Sequence, residues 1–309
     1  MTSRSAVVLQ GTGGIWQVLT DEGDTLAVSM RGRLKHEARA GLKLAVGDRV
    51  TITQDERESA FAIDEIQPRR SKLARRNPSG ARGERIVVAN LDQVLVVFAA
   101  AKPEPHPRML DRFLVIAEAN DLSARVVVNK IDLTSERDAR VRFAEQIGAG
   151  YPIHFTSVRA NIGLESLRTE VEAKNSALTG PSGVGKSSLM NTLFPGLDLR
   201  TAEISESVNK GRHTTVGAVL HPLPGGGFVA DTPGLREVGL WGIDVDDLAH
   251  CFPEFRPLLG ECRFGDCTHL VEPGCAIRDA VDARRVTAGR YESYQKLREE
   301  LAVSQLDPW

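Results

Sequence analysis

The first 70 residues alternate between short apolar runs and polar, glycine-containing turns. Residues 6–9, 15–19, 25–30, 49–53 and 61–66 each read as a strand, and 25–30 alternates as a half-buried strand does. Five strands in so short a stretch predict a small barrel, of which the oligonucleotide-binding (OB) fold is the commonest five-stranded kind. Trp16 either stacks on a base or fills the core or rim of that barrel. Arg31, Arg33, Lys35 and His36 fall on one of its loops.

From residue 86 the pattern changes. Residues 86–90 and 93–98 are dense in β-branched side chains, as buried strands are. A helix is predicted at 110–119, a strand at 125–128, a helix at 135–147, a strand at 153–156 and a helix at 163–173. A strand at 176–179 and a helix at 187–194 follow, then two strands, 217–223 and 227–230, around Pro224-Gly225-Gly226. Strands alternating with helices predict a mostly parallel sheet covered on both faces. Beyond about Trp241 only helices are expected, the last at 290–302. The chain therefore reads as multidomain α/β: an OB barrel (1–68), a basic linker with an α/β nucleotide-binding domain (69–240), and a helical C-terminal domain (241–309).

Composition narrows the class. With 41% apolar and 26% charged residues the chain matches a soluble globular protein. No apolar run approaches the roughly 18 residues of a membrane span, and Met1–Ser5 does not open a secretory signal. A cytoplasmic protein is expected. Residues 1–90 hold 15 Lys and Arg against 11 Asp and Glu, net +4, leaving 24 against 30, net −6, for the remainder. Arg69, Arg70, Lys72, Arg75, Arg76, Arg82 and Arg85 face only Glu84 in their stretch. Such a segment suits either a nucleic-acid phosphate backbone or a solvated linker.

The chemistry centres on Gly180-Pro181-Ser182-Gly183-Val184-Gly185-Lys186-Ser187-Ser188, which fits G-x-x-x-x-G-K-[ST]. Glycines let successive N–H groups turn toward phosphate oxygens; Lys186 brings charge to the β- and γ-phosphates, and the Ser187 hydroxyl can ligate Mg²⁺. Asn129-Lys130-Ile131-Asp132 follows a predicted strand. The Asp132 carboxylate can accept from the guanine ring N–H and amine, a donor pair adenine lacks. Asn129 can bridge base and phosphate loop, and the Lys130 stem can cover the ring. Ser157 lies where a loop would reach the guanine oxygen. Asp231-Thr232-Pro233-Gly234 can hold Mg²⁺ through water (Asp231) and meet the γ-phosphate with an N–H (Gly234). The polar stretch 201–211 and Gly211-Arg212-His213-Thr214-Thr215 suit a switch ordered by Mg²⁺ and γ-phosphate.

In most GTPases the phosphate loop precedes the N-K-x-D motif; here it follows. Circular permutation keeps the sheet and only moves the chain ends. The permuted order, the preceding barrel, the trailing Cys/His cluster and the stretch Glu237-Val238-Gly239-Leu240-Trp241 resemble the ribosome small-subunit-dependent GTPase A family of bacteria (RsgA-type). That resemblance covers nearly the whole chain. It implies a late-acting assembly GTPase that binds the small ribosomal subunit and its rRNA, is stimulated by it, and uses GTP and Mg²⁺. A monomer with no membrane association is expected.

Cys262, Cys267, His269 and Cys275 offer three sulfurs and a nitrogen, a complete set for one structural Zn²⁺. Cys251 stands outside that spacing as a small buried hydrophobe. Where many GTPases orient water with glutamine after D-x-x-G, this chain has Leu235, and where the resembled family often has histidine after Gly-Leu-Trp it has Gly242. His213 is the nearest alternative. Two competing functions, a P-loop metabolite kinase and a zinc-dependent RNA-binding module with a slow nucleotide switch, fit the phosphate loop or the cluster alone.

Overall fold

Strands β1 (Ser3–Thr12), β2 (Ile15–Thr20), β3 (Thr25–Met30), β4 (Arg49–Gln54) and β5 (Phe61–Ile66) close a barrel in the order β1-β2-β3-β5-β4. The structure is a computed structural model that describes residues 2–32, 34, 43–54, 60–76, 84–199, 218–231 and 243–306. Only β3 and β5 pair parallel; their neighbours are antiparallel, which is the OB topology. Alternate residues Ala6, Val8, Val18, Val28, Val50, Ile52 and Ile63 fill the interior. The indole of Trp16 packs against that core and lies over Gly11, where a Cβ would come within 2.3 Å of the ring. Trp16 is thus a packing residue. Arg31 bonds Thr53 and Asp64, while Arg33, Lys35 and His36 lie outside the described residues.

The basic stretch is not a linker along its whole length. Lys72–Arg76 forms β6, paired antiparallel with β7 (Glu84–Ala89), so 86–90 belongs to this ribbon rather than to the parallel sheet. Leu73 and Val88 point into the core, a one-sided burial that the density of arginines conceals in the sequence. The ribbon grips the barrel. Ala89 N–H donates to the Val46 carbonyl at 2.8 Å, and Asn90 Nδ2 donates to the Gly47 carbonyl at 2.9 Å. Gly47, at φ +85°, admits this approach because a Cβ would sit 2.2 Å from Ala89 O. Buried Asp48 accepts from Arg69 Nε at 2.6 Å.

Six strands build the central sheet: β8 (Gln93–Ala99), β9 (Ser123–Asn129), β10 (Ile153–Phe155), β11 (Asn175–Thr179), β12 (Val219–Pro222) and β13 (Phe228–Asp231), ordered β10-β9-β8-β11-β13-β12. All run parallel except β12, at one edge. β8 is buried on both faces, which accounts for its unbroken apolar run. Val94, Val96 and Phe98 pack toward α1 (Pro107–Glu118), and Leu95, Val97 and Ala99 toward α4 (Leu164–Val171) and α5 (Lys186–Leu193). The single helix expected over 135–147 is two, α2 (Glu136–Arg142) and α3 (Ala144–Gly148), because Phe143 leaves helical geometry to bury its ring.

The C-terminal region adds α6 (Ala276–Asp282) and α7 (Ala288–Leu306) with two short 3-10 turns, and no strand among its described residues. Phe252 and Phe255 stack at 4.9 Å, with Tyr294 edge-on to both at 5.6 and 5.3 Å. Its core is continuous with the α1 side of the sheet. Among the described residues no helix is long and apolar enough to cross a membrane.

Candidate nucleotide site and metal centre

The carboxyl ends of β8, β9, β10, β11 and β13 share one edge of the sheet, the edge at which parallel α/β sheets bind ligands. The phosphate loop leaves β11 with Gly180, Gly183 and Gly185 at φ +128°, +78° and +91°. A Cβ at Gly180 would lie 2.1 Å from Val97 O, and one at Gly185 would lie 2.7 Å from Asn129 Nδ2. Both positions need glycine for space as well as for backbone angle. α5 begins at Lys186, so its N-terminal N–H groups and positive dipole end face the loop. Lys186 Nζ donates to the carbonyls of Gly180 (2.8 Å) and Pro181 (2.7 Å), which holds the ammonium across the loop mouth. Ser182 and Ser188 are exposed and Ser187 half-buried.

The base motif is braced against this loop. Asn129, buried, donates from Nδ2 to the Val184 carbonyl at 2.9 Å, the bridge expected of it. Lys130 takes φ +60° and donates from Nζ to Gly183 O (2.6 Å) and Lys102 O (2.7 Å), so its stem spans from the base motif to the phosphate loop. Ser157 Oγ donates to Asp132 Oδ1 at 2.5 Å, leaving the exposed carboxylate one face for a ligand. Two contributors carry no sequence signal. Buried Thr156 donates from Oγ1 to Asn129 Oδ1 at 3.2 Å, which fixes the amide orientation, and the Lys102 carbonyl anchors Lys130. Asp231 ends β13 beside Leu178, one strand from the phosphate loop. His213, Thr214, Thr215 and Gly234, with Arg82, Leu235 and residues 237–242, lie outside the described residues.

The second site is the cysteine cluster. The ligand atoms of Cys262, Cys267, His269 and Cys275 all lie within 4.8 Å of one another. Cys262 Sγ and Cys275 Sγ are each 3.5 Å from His269 Nδ1 and 4.0 Å apart. A tetrahedral zinc with bonds of about 2.3 Å to sulfur and 2.0 Å to nitrogen spaces its ligands by similar amounts, so the set fits that ion. Electrostatics agree. Burial, with the Cys262 and Cys275 thiols, pushes the Cys267 thiol up to about 12 against a backbone hydrogen bond from His269. A bound cation would favour the thiolate that this burial opposes. Burial lowers the His269 pKa and keeps the imidazole neutral, as a ligand must be. The loop is fixed from outside: Tyr291 Oη donates to His269 O (2.7 Å) and Tyr294 Oη to Thr268 O (2.9 Å). Cys251 is 5% exposed and outside the cluster, as expected.

The C-terminal region is tied to the domain of the central sheet by a buried charge. Arg290, 1% exposed, bonds Asp111 of α1 at 2.6 Å and Glu254 at 2.6 Å, with its guanidinium 4.6 Å from the Phe252 ring. Ser293 and Gln146 donate to the remaining lone pairs of Asp111.

Comparison with known proteins agrees with this geometry. Residues 66–241 match the model of the RsgA GTPase family. The "Small ribosomal subunit biogenesis GTPase RsgA" of Gemmatimonas aurantiaca is 69% identical over 301 residues, covering 97% of this chain and 98% of that one. The protein of the same name from Thermotoga maritima is 40% identical over 283 residues, covering 91% and 90%. The crystal structure of YjeQ from Thermotoga maritima superposes with a TM-score of 0.81 at 36% identity, covering 97% and 99%. YloQ, described as a circularly permuted GTPase, gives 0.75 at 26% identity, covering 97% and 96%. Shared sequence along nearly the full length, and a shared permuted sheet beneath it, make this chain a GTPase of the RsgA family.

Proposed function

We propose that this chain hydrolyses GTP on the small ribosomal subunit during its late maturation, in the cytoplasm, with subunit binding as the trigger for turnover. The observation that carries the reading is the bracing of the base motif on the phosphate loop through Asn129–Val184 and Lys130–Gly183, which builds one site for guanine and phosphates together. The names of the relatives supply the ribosomal context. Neither a metabolite kinase nor a binding-only zinc module accounts for Asp132 held beside Ser157.

In this reading residues 180–188 cradle the phosphates, and Ser187 and Asp231 hold Mg²⁺, which neutralises charge developing on the β- and γ-oxygens. Thr214, Thr215 and Gly234 would contact the γ-phosphate, and His213 would orient the water that attacks phosphorus as the bond to GDP breaks. Residues 1–68 bind rRNA, and residues 241–309 form a helical domain organised by one Zn²⁺. The register of the β6–β7 ribbon pairs Arg75 with Arg85, and the basic sequence of that stretch suits a phosphate backbone.

Sedimentation with purified small subunits tests the reading. Binding should be tighter with a non-hydrolysable GTP analogue than with GDP and should weaken steeply with salt. Arg75→Ala with Arg76→Ala should lower subunit affinity while GTP affinity stays unchanged. No binding to small subunits in either nucleotide state would overturn it.

A further inference from the structure

The loop that leaves β8 touches both the base motif and the phosphate loop. Its Lys102 carbonyl accepts from Lys130 Nζ at 2.7 Å, and the same ammonium donates to Gly183 O at 2.6 Å. Pro103 Cδ lies 3.8 Å from the place a Cβ on Gly183 would take, so the loop also abuts the phosphate loop directly. Lys102 sits at φ +50°, a left-handed conformation that residues with a Cβ adopt rarely and that persists where neighbours enforce it.

The enforcement comes from both sides of Ala100. This residue, 1% exposed, donates its N–H to the Asn129 carbonyl at 2.7 Å. Its own carbonyl accepts from Arg142 Nη1 at 2.9 Å, and that nitrogen also donates to Glu104 Oε1 at 2.8 Å. One guanidinium thus joins the two ends of the turn 100–104, with Lys102 at its centre. Arg142 is the last residue of α2, and Ala139 and Phe143 on either side of it are buried, so it reaches the loop from a fixed mount. As a source of stability the ion pair is weak, because the Arg142 and Glu104 side chains are 37% and 71% exposed. Its geometric effect is larger, because the Lys102 carbonyl is one of the two acceptors that aim Lys130.

We propose that Arg142 is a positioning residue for the guanine base. By holding residues 100–104 it keeps the Lys102 carbonyl against the Lys130 ammonium, and so keeps the Lys130 stem extended as the wall on which the base lies. This rests on the base-binding reading of Asn129–Asp132 given above. Because Lys130 covers the base and not the reacting phosphate, loss of Arg142 should weaken ground-state and transition-state binding alike.

Steady-state GTP turnover by the full-length, zinc-loaded protein tests this. Arg142→Met, which keeps the stem and removes the donors, should raise KM about fivefold with kcat unchanged, as loss of one hydrogen bond does. Arg142→Lys, which can still donate to the Ala100 carbonyl, should recover most of that loss. The thermal midpoint should be the same in all three proteins, since the pair lies open to water. An unchanged KM in Arg142→Met, or a loss confined to kcat, overturns the proposal. A rise in KM that follows a fall in thermal midpoint, or that Arg142→Lys does not recover, also overturns it. Asp132→Asn, measured alongside, separates the two readings. An undiminished preference for GTP over ATP in that variant removes the base site and the proposal with it. A lost preference there, together with an unchanged KM in Arg142→Met, overturns the role of Arg142 alone.

Discussion

At the nucleotide edge of the sheet the ligand-facing groups are held by the scaffold itself. Gly180 turns under the Val97 carbonyl, Asn129 is pinned between Val184 and Thr156, and Lys130 bridges Gly183 and Lys102. Around the cysteines the order is reversed. Short turns bring three thiols and an imidazole together, and aromatic rings and one loop carboxylate support them from outside. That carboxylate, Glu272, is opposed by burial but is held down at about 2 by hydrogen bonds from the Thr268 side chain and from nearby backbone N–H groups. One site is built before its ligand arrives. The other gathers four ligand atoms that a metal ion would tie together.

Removing a metal ligand should therefore give the largest effect. Cys275→Ser should abolish the roughly one Zn²⁺ per chain expected from elemental analysis. In zinc-finger peptides such a metal contributes on the order of 10 kcal/mol to folding. The near-ultraviolet signal of Tyr291 and Tyr294 should collapse while GTP binding survives. Unchanged zinc content would reject the tetrahedral set.

A smaller loss is expected where the two regions meet. Arg290→Met leaves Asp111 and Glu254 buried without their cation and should cost about 3–5 kcal/mol by chemical denaturation of the zinc-loaded protein. A loss below about 1 kcal/mol, the range of an exposed pair, would show that the two regions are only loosely joined.

Much of the nucleotide edge was legible because its chemistry is local. A glycine at positive φ, a lysine at the head of a helix and an aspartate after a buried strand are fixed by neighbours in sequence, so their spacing alone announces them. The parts that were hidden depend on distant partners. Asp111 and Arg290 are far apart in sequence, and either alone reads as a surface charge. Thr156 is one more strand-end threonine until Asn129 is placed beside it. Strand β6 was masked by its own arginines: within it only Leu73 marks the buried face, too few positions to reveal a period of two.

Within the nucleotide site the effects should be graded by contact with the ligand. Asp132→Asn turns an acceptor into a donor facing guanine donors and should cut the preference for GTP over ATP by on the order of a hundredfold or more, as competition binding would show. An undiminished preference would remove Asp132 from base recognition. Thr156→Val, which touches no ligand, should weaken GTP binding only several-fold, about 1 kcal/mol, by freeing the Asn129 amide. Thermal stability should change little, whereas a loss of stability without a loss of affinity would make Thr156 a packing residue only.

In the proposed function the site turns over slowly until the small subunit completes it, since Leu235 stands where a water-orienting glutamine would be. The direct measurement is GTP turnover by the zinc-loaded protein, alone, with purified small subunits and with large subunits. Small subunits should raise the rate by on the order of tenfold or more, as ordering of a catalytic loop does, and large subunits should not. Equal rates in all three mixtures would contradict the account.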